Sequence, residues 1–204
     1  MDLITVKLSQ CTACDLHQNG FVVPGRGPDK ARIFVIGEAP GQEESNHGVP
    51  FVGRAGQELE SLLKLAGIDS DQVFFTNLVR HWPGLGNPDP KVEHIRACHQ
   101  WLQKELDDHD PDTVIFLGKL ATKSAGLDLG ASRGIPRHLP YGGRDRVLVS
   151  MYHPAAGLHN PLLMPVIKQD FTLLSEKAVT RRVDVTHVGS RSLPSDDHIA
   201  VDLE

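Results

Sequence analysis

Cysteine is scarce, with three residues in a chain of 204. Three thiols cannot close into a disulfide framework, which excludes the stapled architecture of small secreted domains. Long apolar runs are missing too: none is long enough to span a bilayer, and residues 1–10 lack the hydrophobic stretch of a signal peptide. A cytoplasmic location is therefore expected. Basic excess is also absent. A net charge of −5 argues against a protein that coats nucleic acid non-specifically, but not against an enzyme that grips DNA locally. Part of the acidity lies in Asp184, Asp196, Asp197, Asp202 and Glu204, outside the presumed core. No internal repeat is present.

What remains is an ordinary globular composition, 40% hydrophobic and 23% charged, long enough for one α/β domain with a real core. The chain is organised around residues 33–54. A short β-branched run (33–36) stops at Gly37-Glu38-Ala39-Pro40-Gly41. A polar loop follows over 42–49, then Pro50-Phe51-Val52-Gly53-Arg54-Ala55-Gly56, then a helical pattern carrying Leu59, Leu62, Leu63 and Ala66. This reads as strand, glycine-punctuated loop and helix. In α/β sheets ligands sit beyond the carboxyl ends of strands, which is where Gly37 to Gly41 would lie. Glu38, a carboxylate inside that loop, is a candidate for chemistry.

Further strands are expected at 73–79, 113–117 and 147–151. Helices are expected from about Lys91, over 120–125 and from Pro161 to about Ala178; residues 81–90 and 126–145 read as loops. Strands alternating with helices imply a three-layer α/β/α sandwich with a central, mainly parallel four-stranded sheet. The domain is expected over residues 1–178. Residues 179–204 read as a polar linker or tail that could lead into a further domain. Its last residues, Asp202-Leu203-Glu204, resemble the start of the D-x-E metal motif of 3′–5′ exonucleases. Cys11-Thr12-Ala13-Cys14 has metal-ligand spacing.

The G-E-A-P-G loop followed by P-F-V-G-R-A-G resembles the first motif of family 4 uracil-DNA glycosylases. Thr76-Asn77-Leu78-Val79, a proline-rich loop containing Asn87, the Cys98 helix and His153-Pro154-Ala155-Ala156 follow in that family's order. The resemblance spans roughly residues 8–178. It implies an enzyme that extrudes uracil from DNA and hydrolyses its N-glycosidic bond, opening base-excision repair. Phe51 is then expected to stack on the base and Asn77 to read its edge, since an amide matches O4 and N3–H of uracil. By the same resemblance Glu38 supports the sugar cation or positions water, Asn87 helps place the water and His153 donates to uracil O2. Main-chain groups of Gly37 and Ala39 line the pocket.

The family holds a four-iron, four-sulfur cluster on four cysteines. Here Cys11, Cys14 and Cys98 are joined by His81 where the third cysteine is expected. Such a set suits a cluster or structural zinc, and an empty site is the third alternative. A histidine at this position also occurs in a related branch that cross-links to DNA through another histidine. That position corresponds to Asn87 here, so ordinary turnover is expected. Ser45-Asn46 lacks an acidic residue expected from the family. No lysine in the motifs supplies a Schiff base, so strand cleavage is not expected. A monomer acting on uracil-containing DNA is the primary reading, and a non-catalytic docking module of a larger replication protein is the rival.

Overall fold

The computed structural model describes residues 8–174. The expected tail over 179–204 and the end of the last helix lie outside these residues. Five strands form one sheet in the order β2-β1-β3-β5-β4. They are β1 (Ile33–Gly37), β2 (Val73–Asn77), β3 (Thr113–Leu117), β4 (Arg137–Tyr141) and β5 (Arg144–Met151). β1, β2, β3 and β5 run parallel, as their apolar character predicts, and β4 is antiparallel to β5. The seven α-helices among the described residues are α1 (Gln42–His47), α2 (Arg54–Leu65), α3 (Val92–His109), α4 (Lys119–Ser124), α5 (Leu129–Ser132), α6 (Pro154–His159) and α7 (Met164–Leu173).

Alternate residues of β1 feed two separate apolar layers. Ile33 and Val35 pack with Leu59, Leu62 and Leu63 of α2 and with Ile167 and Phe171 of α7. Phe34 and Ile36 pack with Ile95, Leu102 and Leu106 of α3. Both faces of the sheet are thus covered, and the expected sandwich is the observed one. Each fully buried leucine contributes about 1.5–3 kcal/mol relative to exposure, which is why the spacing of Leu59, Leu62 and Leu63 settles which face of α2 turns inward.

The strand count differs from the expected four. β4 lies within residues 126–145, which read as loop. Tyr141-Gly142-Gly143-Arg144 closes a two-residue hairpin, with φ of 56° and 86° at the glycines. That geometry suits adjacent glycines and joins antiparallel neighbours. Pro140 is tolerated because β4 is an edge strand. Two boundaries also move. β2 stops at Asn77 rather than continuing to residue 79, and the polar stretch 42–49 contains the short helix α1.

Candidate active site

The carboxyl ends of β1 and β2 open onto a cavity of about 250 Å³, lined by Glu38, Ala39, Phe51, Asn77, Asn87 and His153 among others. It is slightly smaller than the ~300–1,000 Å³ of drug-sized ligand pockets, on the scale of a single nucleobase. Gly37 ends β1 and pairs with Asn77 across the sheet. A side chain at Gly37 would run into the Asn77 amide and the Phe51 ring, so glycine here lets both groups reach the cavity.

Glu38 projects from the end of β1 across β3. Its Oε1 accepts the N–H of Leu120 at 2.9 Å, at the start of α4. Gly118 (φ 93°) makes this approach possible, because any side chain there would collide with the Glu38 carboxylate. Burial pushes the Glu38 carboxyl above the usual carboxylate range; the Leu120 N–H opposes this and the charge of Asp89 adds to it.

Phe51 is 7% exposed and sits at φ 56°, a left-handed conformation unusual for a bulky residue. Strain of this kind costs on the order of 1–3 kcal/mol and persists only where the surroundings over-determine it. Two neighbours do so. Gly56 of α2 packs directly against the Phe51 backbone, with no room for a Cβ. Arg26 donates from Nε to the Pro50 carbonyl at 2.9 Å while its guanidinium lies 4.7 Å from the centre of the Phe75 ring. The Phe51 ring is 5.7 Å from that of Phe75 and 6.3 Å from that of His153, measured between centroids. Asn77 is buried at 3% exposure, its main chain held by the sheet and its side chain bordering the cavity.

His153 precedes α6 and caps it, with Nδ1 accepting the N–H of Ala155 at 3.2 Å. A neutral ring with Nδ1 as acceptor carries its proton on Nε2, so the free edge is a donor. Burial brings the His153 pKa from 6.5 down to about 4, with the Glu44 charge pulling the other way. The imidazole is therefore uncharged near neutrality.

Asn87 is exposed at the cavity rim with φ 48°, its N–H bonded to the Gly84 carbonyl at 3.0 Å. Two acids missed in the sequence join it. Asp89, between two prolines, lines the rim. Glu44 lines the floor and accepts the N–H of Gly53 at 2.8 Å, tying α1 to the start of α2. Positions 45 and 46 themselves carry no carboxylate, and Glu44 beside them does. Helical spacing supplied the missing signal: α1 starts at Gln42, and its first turn carries Glu43 and Glu44.

The four predicted metal donors share one side of the sheet. Cys98 is buried in the layer under α3, and Cys14 packs against that layer. Cys11 and His81 line a second cavity, which also contains His17. Among the described residues no three His, Cys, Asp or Glu side chains converge closely enough to grip a metal ion. The donor chemistry nevertheless fits a thiolate-bound group. Burial raises the Cys98 thiol to about 11, the Arg80 charge and main-chain N–H oppose that rise, and Cys14 and Cys11 add to it.

Known proteins are similar to this chain over most of its length. The sequence profile described as "Uracil DNA glycosylase superfamily" matches residues 24–173. A Type-4 uracil-DNA glycosylase of Sulfurisphaera tokodaii is 35% identical over 189 residues, covering 88% of this chain and 86% of that one. Another, from Saccharolobus solfataricus, is 36% identical over 185 residues, covering 86% of this chain and 85% of its own. A DNA polymerase of Bacillus phage SP01 is 28% identical over 152 residues, which cover 74% of this chain but 16% of the polymerase. With its profile match spanning the strands, the cavity and α7, the chain belongs to the uracil DNA glycosylase superfamily.

Proposed function

We propose that the protein is a monofunctional uracil-DNA glycosylase. It extrudes uracil from DNA into the cavity at the ends of β1 and β2 and hydrolyses the bond between N1 and C1′. The products are free uracil and an abasic site, the starting point of base-excision repair. One observation carries this reading: a carboxylate, an aromatic ring, an amide and a neutral imidazole, far apart in the chain, border one base-sized cavity.

Each group has a task set by its chemistry. Phe51 stacks on the extruded ring, whose removal from the duplex costs a few kcal/mol. The Asn77 amide pairs with O4 and N3–H; cytosine, with its amine and bare N3, presents the reverse pattern. As the glycosidic bond breaks, its electron pair leaves with the base and positive charge grows on the sugar. His153 donates from Nε2 toward uracil O2 and Glu38 stabilises the sugar cation or orients the attacking water. Asn87 helps hold that water, main-chain groups of Gly37 and Ala39 complete the wall, and the water oxygen ends bonded to C1′. Among the described residues no lysine lines the cavity, and this reading is one of hydrolysis without strand cleavage.

The metal donors Cys11, Cys14, His81 and Cys98 would hold a four-iron, four-sulfur cluster, with zinc as the alternative occupant. When bound, such a group ties the N-terminal segment to α3 and takes no part in bond cleavage. In this reading the glycosylase domain spans residues 1–178 and works as a monomer in the cytoplasm.

A uracil-containing oligonucleotide incubated with the protein and then treated with alkali tests the reading. Nicking by the wild type, lost in Glu38→Ala and His153→Ala, supports it. Retention of DNA binding with no alkali-labile site would instead favour the docking module, a reading that draws on the partial match to the phage polymerase. The acidic balance and the missing fourth cysteine prompted that reading; the D-x-E ending that added a hint lies outside the described residues.

A further inference from the structure

Arg80 is the largest fully buried side chain among the described residues, at 0% exposure. A buried guanidinium is costly unless it is paired; here both terminal nitrogens are engaged and Nε has no hydrogen-bond partner. Its Nη1 donates to the main-chain carbonyl of Asn77. Its Nη2 lies 2.7 Å from Glu105 Oε2 of α3. The same carboxylate accepts the Thr76 hydroxyl at 2.7 Å and the Gly25 N–H at 3.2 Å. The Arg80 carbonyl accepts the N–H of Val23 at 2.7 Å, and its own N–H reaches Cys98. One residue thus joins the end of β2, the N-terminal loop, α3 and the thiol of Cys98.

The position of this brace matters. β2 is an edge strand, and Asn77 is its last residue, paired only with Gly37. The sheet fixes one side of the Asn77–Leu78 peptide, the Leu78 N–H donating to the Gly37 carbonyl at 2.9 Å; the Asn77 carbonyl on the other side needs a partner of its own. Arg80 supplies the partner, three residues further along the same chain. An amide that distinguishes uracil from cytosine does so by direction alone, since both bases have the same outline. A small rotation of the Asn77 peptide would misdirect its donor and acceptor without emptying the cavity.

We propose that Arg80 is a positioning residue for base specificity, clamped by Glu105, which holds the Asn77 peptide so that its amide reads the edge of uracil. This rests on the reading of Asn77 as the base-reading residue. A structural brace alone would alter stability and all rates together; a positioning brace alters the ratio between bases.

Removing Arg80 alone leaves Glu105 buried and unpaired, so the test pairs Arg80→Met with Glu105→Gln, beside the single variant Arg80→Lys. Circular dichroism and thermal unfolding establish that each is folded. Single-stranded oligonucleotides carrying uracil or cytosine then give kcat/KM, and free uracil and free cytosine serve as competitive inhibitors. In the folded double variant, inhibition by uracil is expected to weaken about tenfold relative to cytosine, with kcat/KM for uracil falling by a similar factor. Arg80→Lys, which keeps a donor near the Asn77 carbonyl, should recover part of the preference. A folded double variant with an unchanged ratio of uracil to cytosine inhibition overturns the proposal while leaving the glycosylase reading intact. A wild type that releases no uracil overturns both.

Discussion

The carboxylate of Glu38 accepts the N–H of Leu120 at 2.9 Å, so the acid of the first loop is anchored on the helix that follows β3. This contact orients the carboxylate at the edge of the cavity. Glu38→Gln keeps the shape but loses the charge that faces a developing cation. Its kcat should fall by about 10²–10³, the loss typical of one preorganised electrostatic group, with KM little changed. Single-turnover release of uracil measures this directly.

His153 makes a prediction about pH. The folded chain holds its imidazole neutral down to about pH 4, whereas the unfolded chain takes up a proton near 6.5. Between those values the unfolded state binds more protons, so stability falls as pH falls through the window. Thermal midpoints of the wild type should drop between about pH 6.5 and 4 more than those of His153→Gln, which lacks the titrating ring. An equal drop in both would refute the assignment. Activity should not show a rise tied to protonation near 6.5, because the donor on Nε2 is already present in the neutral form.

Gly56 and Phe51 form a lock between α2 and the loop before it. In Gly56→Ala the new methyl meets the Phe51 carbonyl. Overpacking of this sort costs about 1–3 kcal/mol, and the ring should leave its position beside the cavity. A lowered thermal midpoint and a raised KM for uracil oligonucleotides are expected together. Phe51→Leu keeps the apolar bulk without the flat face, so it should raise KM with a smaller loss of stability.

The metal donors are tested by composition and not by rate. Protein purified without oxygen should contain iron and sulfide, with a broad visible absorption that Cys98→Ser removes. Loss of the tie between the N-terminal segment and α3 should lower the thermal midpoint by about 4–8 °C, the shift that about 2 kcal/mol makes at this chain length. Zinc in place of iron would assign the alternative occupant, and no metal in wild type would leave these donors without a ligand role.

Leu162, 84% exposed in the short turn between α6 and α7, lies just after the His153 segment. An apolar side chain in such a place can fill the gap in the stack left by an extruded base. Leu162→Ala should slow release from duplex DNA by several-fold and leave release from single strands nearly unchanged.

Local pattern carried much of this protein. The apolar runs of β1, β2, β3 and β5 are buried at both faces, so composition alone marked them, and the sandwich followed from their alternation with helices. Glu38 could be named from its glycine-bounded loop at a strand end, and Phe51, Asn77 and His153 because their motifs resemble those of a known family and follow its order. β4 was not legible, because an edge strand exposed on one side carries no apolar run; its sign was the Gly142-Gly143 turn. Convergence was decided by tertiary structure alone. That Gly118 admits the Glu38 carboxylate to α4 and that Glu105 engages Arg80 are relations between segments distant in the chain; Gly56 against Phe51, Glu44 to Gly53 and Arg80 to Asn77 join near neighbours through loop shapes that the fold imposes. Spacing along a polymer records which residues exist and which local shapes they favour. Only packing of the sheet against its helices sets the distances between them, and those distances make the cavity.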